Sequence, residues 1–364
     1  KDGYVFFKQK QNVQFGDYHI AFAEMLAEIQ DYCQVRDVPF LFVLNPEKAA
    51  VYPDKLRDGI HYDRSWVQQF EQKLDELGVN YIDNTQLLQD RRAEGEQVFN
   101  KVYNAGHWND LGAFYGVNNI LESLSGFFPS IQPNELSDFA VTETLQETLL
   151  SSQFPIHEYE PTFGRLCELE VKTEEYDAEV ARNSQHRGFG YFVNPENVAA
   201  GAPKTLVFQG SYMNEMGFKF LQTGLGEYIY VHNYENLMDF DYYFNIFQPE
   251  CVVVEVAEYT VNSGYFNAER VENFSLNPVL TLDDAARQAD REALSPQIVE
   301  GERLSTLTVS LPEGTRYAYL LSEGRTFDLI EGEQGWQASV EKENLSADYT
   351  VVAVGADGEQ TRYR

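Results

Sequence analysis

Positive charge is scarce in this chain. Of 364 residues, 27 are Lys or Arg against 58 Asp or Glu, a formal net charge of −31. Phosphate recognition needs a basic footprint, so neither nucleic acid nor an anionic lipid surface is expected as a partner. Long apolar runs are missing as well, since no stretch approaches the roughly 18 residues that a membrane helix needs. There are three cysteines, Cys33, Cys167 and Cys251. Their spacing suits neither a zinc knuckle nor a redox pair, and an odd number excludes a complete disulfide framework while leaving room for one bridge. Free cysteine is usually a small buried apolar residue, and that is the expectation for all three. There is no Walker A motif, and Gly224-Leu225-Gly226 precedes a strand instead of following one, so no cofactor of the nucleotide kind is expected. The six histidines include no His-x-x-x-His pair, so no metal is expected either. The chain opens Lys1-Asp2-Gly3 without Met or an apolar leader, which reads as a processing boundary with any targeting segment upstream.

What is present is enough for a large core: 43% hydrophobic and 14% aromatic residues exclude general disorder. Over the first two hundred and sixty residues, apolar runs alternate with helical patterns. Pro39 to Leu44 reads as a buried strand, and so do Val79–Asp83, Thr205–Phe208, Glu227–Val231 and Glu250–Val256. Between them, Ile20, Phe22, Met25, Leu26, Ile29 and Cys33 recur at helical spacing. Trp66, Phe70, Leu74 and Leu77 do the same, closed by Gly78 as a C-cap. Near-continuous apolar strands alternating with helices predict a parallel sheet covered on both faces, with sites at the carboxyl ends of its strands, in the loops after Leu44, Phe208 and Val231. Residues 126–200 lack a clear period and read as an insertion serving as a lid or substrate wall. The acidic stretch 280–302 reads as a surface helix. Beyond it, Leu304–Leu311, Tyr317–Leu321, Trp336–Val340 and Tyr349–Val354, separated by turn signals, predict a small β-sandwich-like module. The expected division is therefore 1–300 and 301–364.

Two local motifs can carry chemistry. Gly210-Ser211-Tyr212 follows a strand and opens a helix, where a serine hydroxyl is exposed and the helix N-terminus favours a developing oxyanion. On spacing alone, a helix-capping role for Ser211 is the simpler reading. In Gly106-His107-Trp108-Asn109-Asp110, Asn109 or Asp110 is the natural N-cap and His107 projects from the helix entrance, able to take a proton from a serine. A lone histidine beside a tryptophan is more often a packed, hydrogen-bonded one.

Taken together, these motifs resemble the DHHW family, SGNH-hydrolase-like proteins that include the alginate O-acetyltransferases. Asp2-Gly3-Tyr4-Val5-Phe6-Phe7 is similar to the family's opening, and Asn45-Pro46-Glu47-Lys48 with Val51-Tyr52-Pro53 to its P-x-K-x-x-x-Y-P loop. Gly78 to Asp83 resembles its G-V-x-x-V-D strand, His107 to Ala113 its H-W-x-x-x-G-A block, Gly210-Ser211-Tyr212 its G-D-S-[FY] turn, and Pro249 to Val256 its closing strand. The resemblance covers about the first 260 residues. It implies an SGNH-hydrolase-like α/β fold, a parallel sheet flanked by helices, followed here by the C-terminal all-β module, for which the resemblance implies carbohydrate binding. It further implies an extracytoplasmic protein that takes an acetyl group from a membrane-bound acyltransferase onto Ser211. With His107 as base, it would pass that group to a polysaccharide hydroxyl, or as an acetylesterase to water, with no cofactor or metal. Oligomeric state is not implied.

The family's acid lies two residues before the histidine, where this chain has Ala105, and its Asp before the serine is replaced by Gly210. In serine-protease triads the loss of the acid's charge costs about 10⁴ in rate. Three outcomes follow from Ala105: another group orients His107, the transferase is slow, or the protein has kept only a glycan cleft. Asn104, Asp110, Gly210 and Tyr212 are the candidates for orienting the imidazole or stabilising the oxyanion, and Trp108 and Asn45 for contacting substrate. The negative surface reads first as a solubility feature; as a property of the site, it would repel anionic polymers and suit a neutral or zwitterionic glycan.

Overall fold

The computed structural model describes residues 1–7, 13–150 and 152–364. Its strands, in chain order, begin with β1 (Phe40–Asn45), β2 (Tyr81–Asp83), β3 (Phe139–Thr148), β4 (Pro155–Arg165) and β5 (Glu170–Val171). They continue with β6 (Phe189–Val193), β7 (Lys204–Gln209), β8 (Glu227–His232) and β9 (Cys251–Ala257). Seven of them form one sheet in the order β2-β1-β9-β7-β8-β6-β5. Neighbours among β2, β1, β9, β7 and β8 are parallel, and β6 and β5 add an antiparallel edge. β1 and β9 are buried along their whole length, as strands covered on both faces must be.

Alternation along the strands divides their side chains between two cores. Phe40, Phe42 and Leu44 pack with the Asp17–Gln34 and Ser65–Leu77 helices on one face, through Phe22, Leu26 and Phe70. Leu41 and Val43 pack on the other face with Val117 and Leu121 of the Asp110–Ser125 helix. Each fully buried side chain of this size contributes about 1.5–3 kcal/mol. Gly78 closes the Ser65–Leu77 helix in the left-handed region, φ 69°, as its place in the sequence predicts.

Segment 126–200 is not a lid. Its first half is the β3–β4 hairpin, and its second half supplies the antiparallel edge of the sheet. The hairpin grips the loop leading to His107: the Glu158 carboxylate accepts from the backbone N–H groups of Lys101, Val102 (2.8 Å) and Tyr103 (2.7 Å). Further along the same segment, Glu179 accepts from the N–H groups of Glu302, Arg303 and Leu304 at 2.8–3.0 Å. One insertion thus anchors both the histidine loop and the start of the C-terminal strands.

Those strands are β10 (Arg287–Ala289), β11 (Gln297–Glu300), β12 (Leu304–Val309), β13 (Thr315–Ser322), β14 (Arg325–Gly332), β15 (Gly335–Glu341), β16 (Thr350–Gly355) and β17 (Gln360–Tyr363). They form a second, mostly antiparallel sheet in the order β10-β17-β16-β13-β14-β15-β12-β11. The first half of β14 pairs with β13 and its second half with β15, so the sheet folds over a core that includes Leu307, Leu320, Phe327, Leu329, Val340 and Val351. The surface helix expected over 280–302 is instead β10, a single 3₁₀ turn and β11. Their backbone groups pair with β17 and β12, partners that local composition does not reveal. Cys33 and Cys251 are buried, but Cys167 is half-exposed, contrary to the expectation for all three.

Candidate active site

The turn after β7 puts a serine at the carboxyl edge of the sheet. Gly210 N–H donates to Glu255 Oε2 (2.7 Å) on the adjacent β9, and the chain turns at once into a helix opened by Ser211. As a first-turn residue Ser211 keeps an N–H without an intrahelical acceptor, at the positive end of the helix. The helix has a wide π turn over Met213–Gly217 before it continues as Phe218–Gly224. Gly217 lets the Met213 side chain lie against this turn, since a Cβ would stand 2.3 Å from Met213 Sδ and make that side chain move.

The histidine arrives from the other side. Asn109 caps the Asp110–Ser125 helix, its Oδ1 accepting from Gly112 N–H (3.0 Å). A Cβ on Gly112 would lie 2.2 Å from the Val98 carbonyl, and one on Gly116 2.3 Å from the Trp108 ring. The glycines therefore let Trp108 lie against its own helix, and they fix where the preceding residue points. His107 Nε2 comes to 2.8 Å from Ser211 Oγ. Tyr259, just past β9, brings its hydroxyl to 3.3 Å from the same oxygen.

Of the residues singled out in sequence, Ser211 and His107 meet, and the others hold the frame around them. Asn104 Oδ1 accepts from the N–H groups of Gly106 (3.0 Å) and His107 (3.1 Å), so it shapes the loop backbone. Asp110 does not orient the imidazole: its Oδ2 is held by Lys219 Nζ (2.6 Å) and Phe163 N–H (2.8 Å). The Gly210 N–H is committed to Glu255 and is not an oxyanion donor. The Tyr212 hydroxyl, fully buried, sits 2.8 Å from each of the Pro46 and Gly106 carbonyl oxygens. Trp108 and Asn45 do not meet substrate, as both are 0% exposed. Trp108 Nε1 donates to the Tyr212 carbonyl (3.1 Å), and Asn45 Nδ2 to Glu255 Oε1 (2.7 Å), beneath the serine turn.

Ser211 and His107 open into a cavity of about 420 Å³ whose wall includes the rings of Tyr62, Trp66, Tyr259 and Tyr265. None of its lining residues among those described comes from 126–200. Charge is buried beneath it. Glu258 accepts from Tyr62 Oη (2.7 Å), Arg64 Nε (2.7 Å) and Glu47 N–H (2.8 Å), and Arg64 also reaches Asp83 Oδ2 (3.0 Å). Lys48 Nζ donates to the carbonyls of Val5 (2.7 Å) and Lys101 (3.1 Å), tying the N-terminal segment to the histidine loop. Burial pulls Lys48 down to about 7 and pushes Glu255 up to about 7. Burial also lowers His107 to about 4, so the imidazole is neutral near pH 7, the form that accepts a proton. Among the described residues, no group of three or more His, Cys, Asp or Glu is arranged to hold a metal ion.

Residues 1–201 match the family described as SGNH hydrolase-like domain, acetyltransferase AlgX. The chain belongs to this family. The match takes in the histidine loop and ends before Ser211, which only the fold brings into the same site. The fold is similar to that of Bacillus cereus PatB1 with a sulfonyl adduct, at a TM-score of 0.53 and 15% identity over 73% of this chain and 95% of that one. It is also similar to a DHHW family protein from Eubacterium siraeum, at a TM-score of 0.51 and 15% identity over 73% of this chain and 92% of that one. No curated protein matches.

Within this SGNH-like frame, sequence reasoning missed two groups at the site. Tyr259 lies at the carboxyl end of β9, where the rule for parallel sheets puts functional residues, and that rule was enough to find it. Glu215 lies four residues after Ser211, and its Oε2 stands 3.4 Å from His107 Nδ1. The Ser-x-x-x-Glu spacing on a helix was its signal.

Proposed function

We propose that this protein is an extracytoplasmic O-acetyltransferase that acetylates a neutral or zwitterionic polysaccharide through an acyl-enzyme on Ser211. The observation that carries the reading is the 2.8 Å approach of His107 Nε2 to Ser211 Oγ at the mouth of an aromatic cavity. His107 takes the Ser211 proton as Oγ attacks the acetyl carbonyl of the donor. The tetrahedral oxyanion is met by the Ser211 N–H at the helix N-terminus and by the Tyr259 hydroxyl. Collapse breaks the bond to the donor oxygen, which leaves with the proton from His107. A sugar hydroxyl then gives its proton to His107 and attacks the acyl-enzyme, and Ser211 recovers that proton as the acetylated sugar departs. The aromatic wall offers flat apolar faces to pyranose rings. A membrane-bound acyltransferase supplies the acetyl group in this scheme, and the C-terminal strands, 301–364 in the expected division, form a carbohydrate-binding module.

The test is intact-protein mass after incubation with an activated acetyl ester, followed by addition of neutral oligosaccharide. An acetyl-sized mass increase is expected on the wild type and on neither Ser211→Ala nor His107→Ala, and the oligosaccharide should discharge it. Folded wild-type protein that gains no Ser211-dependent mass and turns over no ester would instead be a glycan-binding protein. Ala105, which lines the cavity in place of the family acid, favours that second reading.

A further inference from the structure

We propose that Glu215 is the carboxylate partner of His107, so that nucleophile and acid sit one turn apart on the same helix. The inference rests on the reading of Ser211 and His107 given above. A neutral imidazole that accepts at Nε2 carries its proton on Nδ1, and that N–H needs an acceptor. His107 Nδ1 is buried and has no hydrogen-bond partner among the described residues. The Asn104 amide nitrogen, Nδ2, is in the same position. The Glu215 carboxylate stands between these two donors, 3.4 Å from His107 Nδ1 and beside the Asn104 amide. A small turn of its side chain gives both an acceptor, in the way that catalytic hydrogen bonds tighten when substrate binds.

Other groups nearby are committed elsewhere or neutral. Asp110 is held by Lys219 and Phe163 N–H, Glu255 by Asn45 and Gly210, and Glu160 by Asn100 and Gln146. The Tyr103 phenol is pushed up by burial and by Glu160 and Glu215, so it stays neutral. Residue 105 offers only a methyl group. When His107 takes the serine proton, burial opposes the imidazolium, and a carboxylate on Nδ1 supplies the missing counter-charge. Glu215 does so from a more open place than an acid inside the histidine loop would have, as its side chain is 41% exposed. Its effect is therefore expected to be smaller than the loss of a buried triad acid, and sensitive to salt.

Glu215 acts through His107 and is a positioning residue, so the test needs more than a rate. Acylation of Ser211 by an activated acetyl ester is followed across pH for wild type, Glu215→Gln, Ala105→Asp and the double variant Glu215→Gln/Ala105→Asp. The expected result is a loss of about 10- to 100-fold in Glu215→Gln, with the histidine limb of the pH profile moved to lower pH because the imidazolium has lost its counter-charge. The double variant should recover most of that loss, since the acid is restored two residues before His107. A Glu215→Gln variant that is acylated within about two-fold of wild type with an unmoved profile overturns the proposal, and so does a double variant with no recovery. If wild type is never acylated on Ser211, the catalytic reading fails, yet Glu215 is still tested separately by NMR of the His107 ring. Its Nδ1 proton should shift on Glu215→Gln, and an unchanged resonance overturns the pairing.

Discussion

The carboxyl edge of the first sheet and the C-terminal sheet solve burial in opposite ways. At the first sheet's edge, Lys48, Glu255 and Glu258 are each no more than 1% exposed and are satisfied by backbone groups, the Asn45 amide, the Tyr62 hydroxyl and the Arg64 guanidinium. The C-terminal strands bury apolar side chains with a few small polar groups such as Ser305 and Ser322. Their buried acid, Asp328, turns its carboxylate to Tyr32 Oη (2.7 Å) in the neighbouring region while its backbone pairs with the Asn245 side chain. Buried charges are costly and hold only where every lone pair and proton finds a partner. Their concentration beneath Ser211 and His107 marks the edge as the place where geometry is held at the expense of stability.

The contrast can be broken most forcefully at Arg64, which neutralises both Glu258 and Asp83. Arg64→Met should cost about 3 kcal/mol in urea unfolding because it strands a buried carboxylate. Arg316→Ala, on the exposed face of β13, should change stability by less than about 0.5 kcal/mol. Equal effects would erase the distinction between the two regions.

The paired acids of the insertion sharpen it. Glu158→Ala and Glu179→Ala each remove a carboxylate from three backbone N–H groups and should each cost about 1–3 kcal/mol. Only Glu158→Ala should also slow Ser211 acylation, because its three N–H groups lead into the His107 loop. Equal slowing by Glu179→Ala would show that the C-terminal strands take part in the chemistry.

The smallest expected effect is on pH dependence. Burial and the neighbouring Asp83 push Glu71 up to about 8. A carboxyl whose folded value lies above its unfolded one stabilises fully below about 4.5 and loses that contribution as pH rises through about 8. Glu71→Gln should flatten this decline, leaving the variant more stable than wild type above pH 8 by on the order of 1 kcal/mol once solvent screening is allowed for. Thermal unfolding at pH 5 and pH 9 measures it, and parallel curves for the two proteins would remove Glu71 from the account.

How far the site was legible depended on how local its causes were. Ser211 could be read because a strand, a tight turn and a helix succeed one another within a few residues. The burial of Trp108 was not legible in this way, and only the structure shows its ring lying against Gly112 and Gly116 of its own helix, away from substrate. The edge strands β10 and β11 were misread as a helix because acidic, Ala- and Leu-containing stretches have helical propensity. Pairing with the distant β17 and β12 overrides it. β14 went unnoticed because its alternation is broken where it changes partners.

By itself the sequence determined the alternation of the parallel strands with the helices that cover them, the two-sided burial of the first sheet and the two turns that carry Ser211 and His107. These follow from periodicity, capping and glycine placement, which act over a few residues. Only the tertiary structure decided that those turns meet at 2.8 Å, and that the carboxylate facing the imidazole comes from the serine's own helix and not from the histidine loop. A contact between groups about a hundred residues apart depends on the order of the strands in the sheet, which is not encoded in the neighbourhood of either residue.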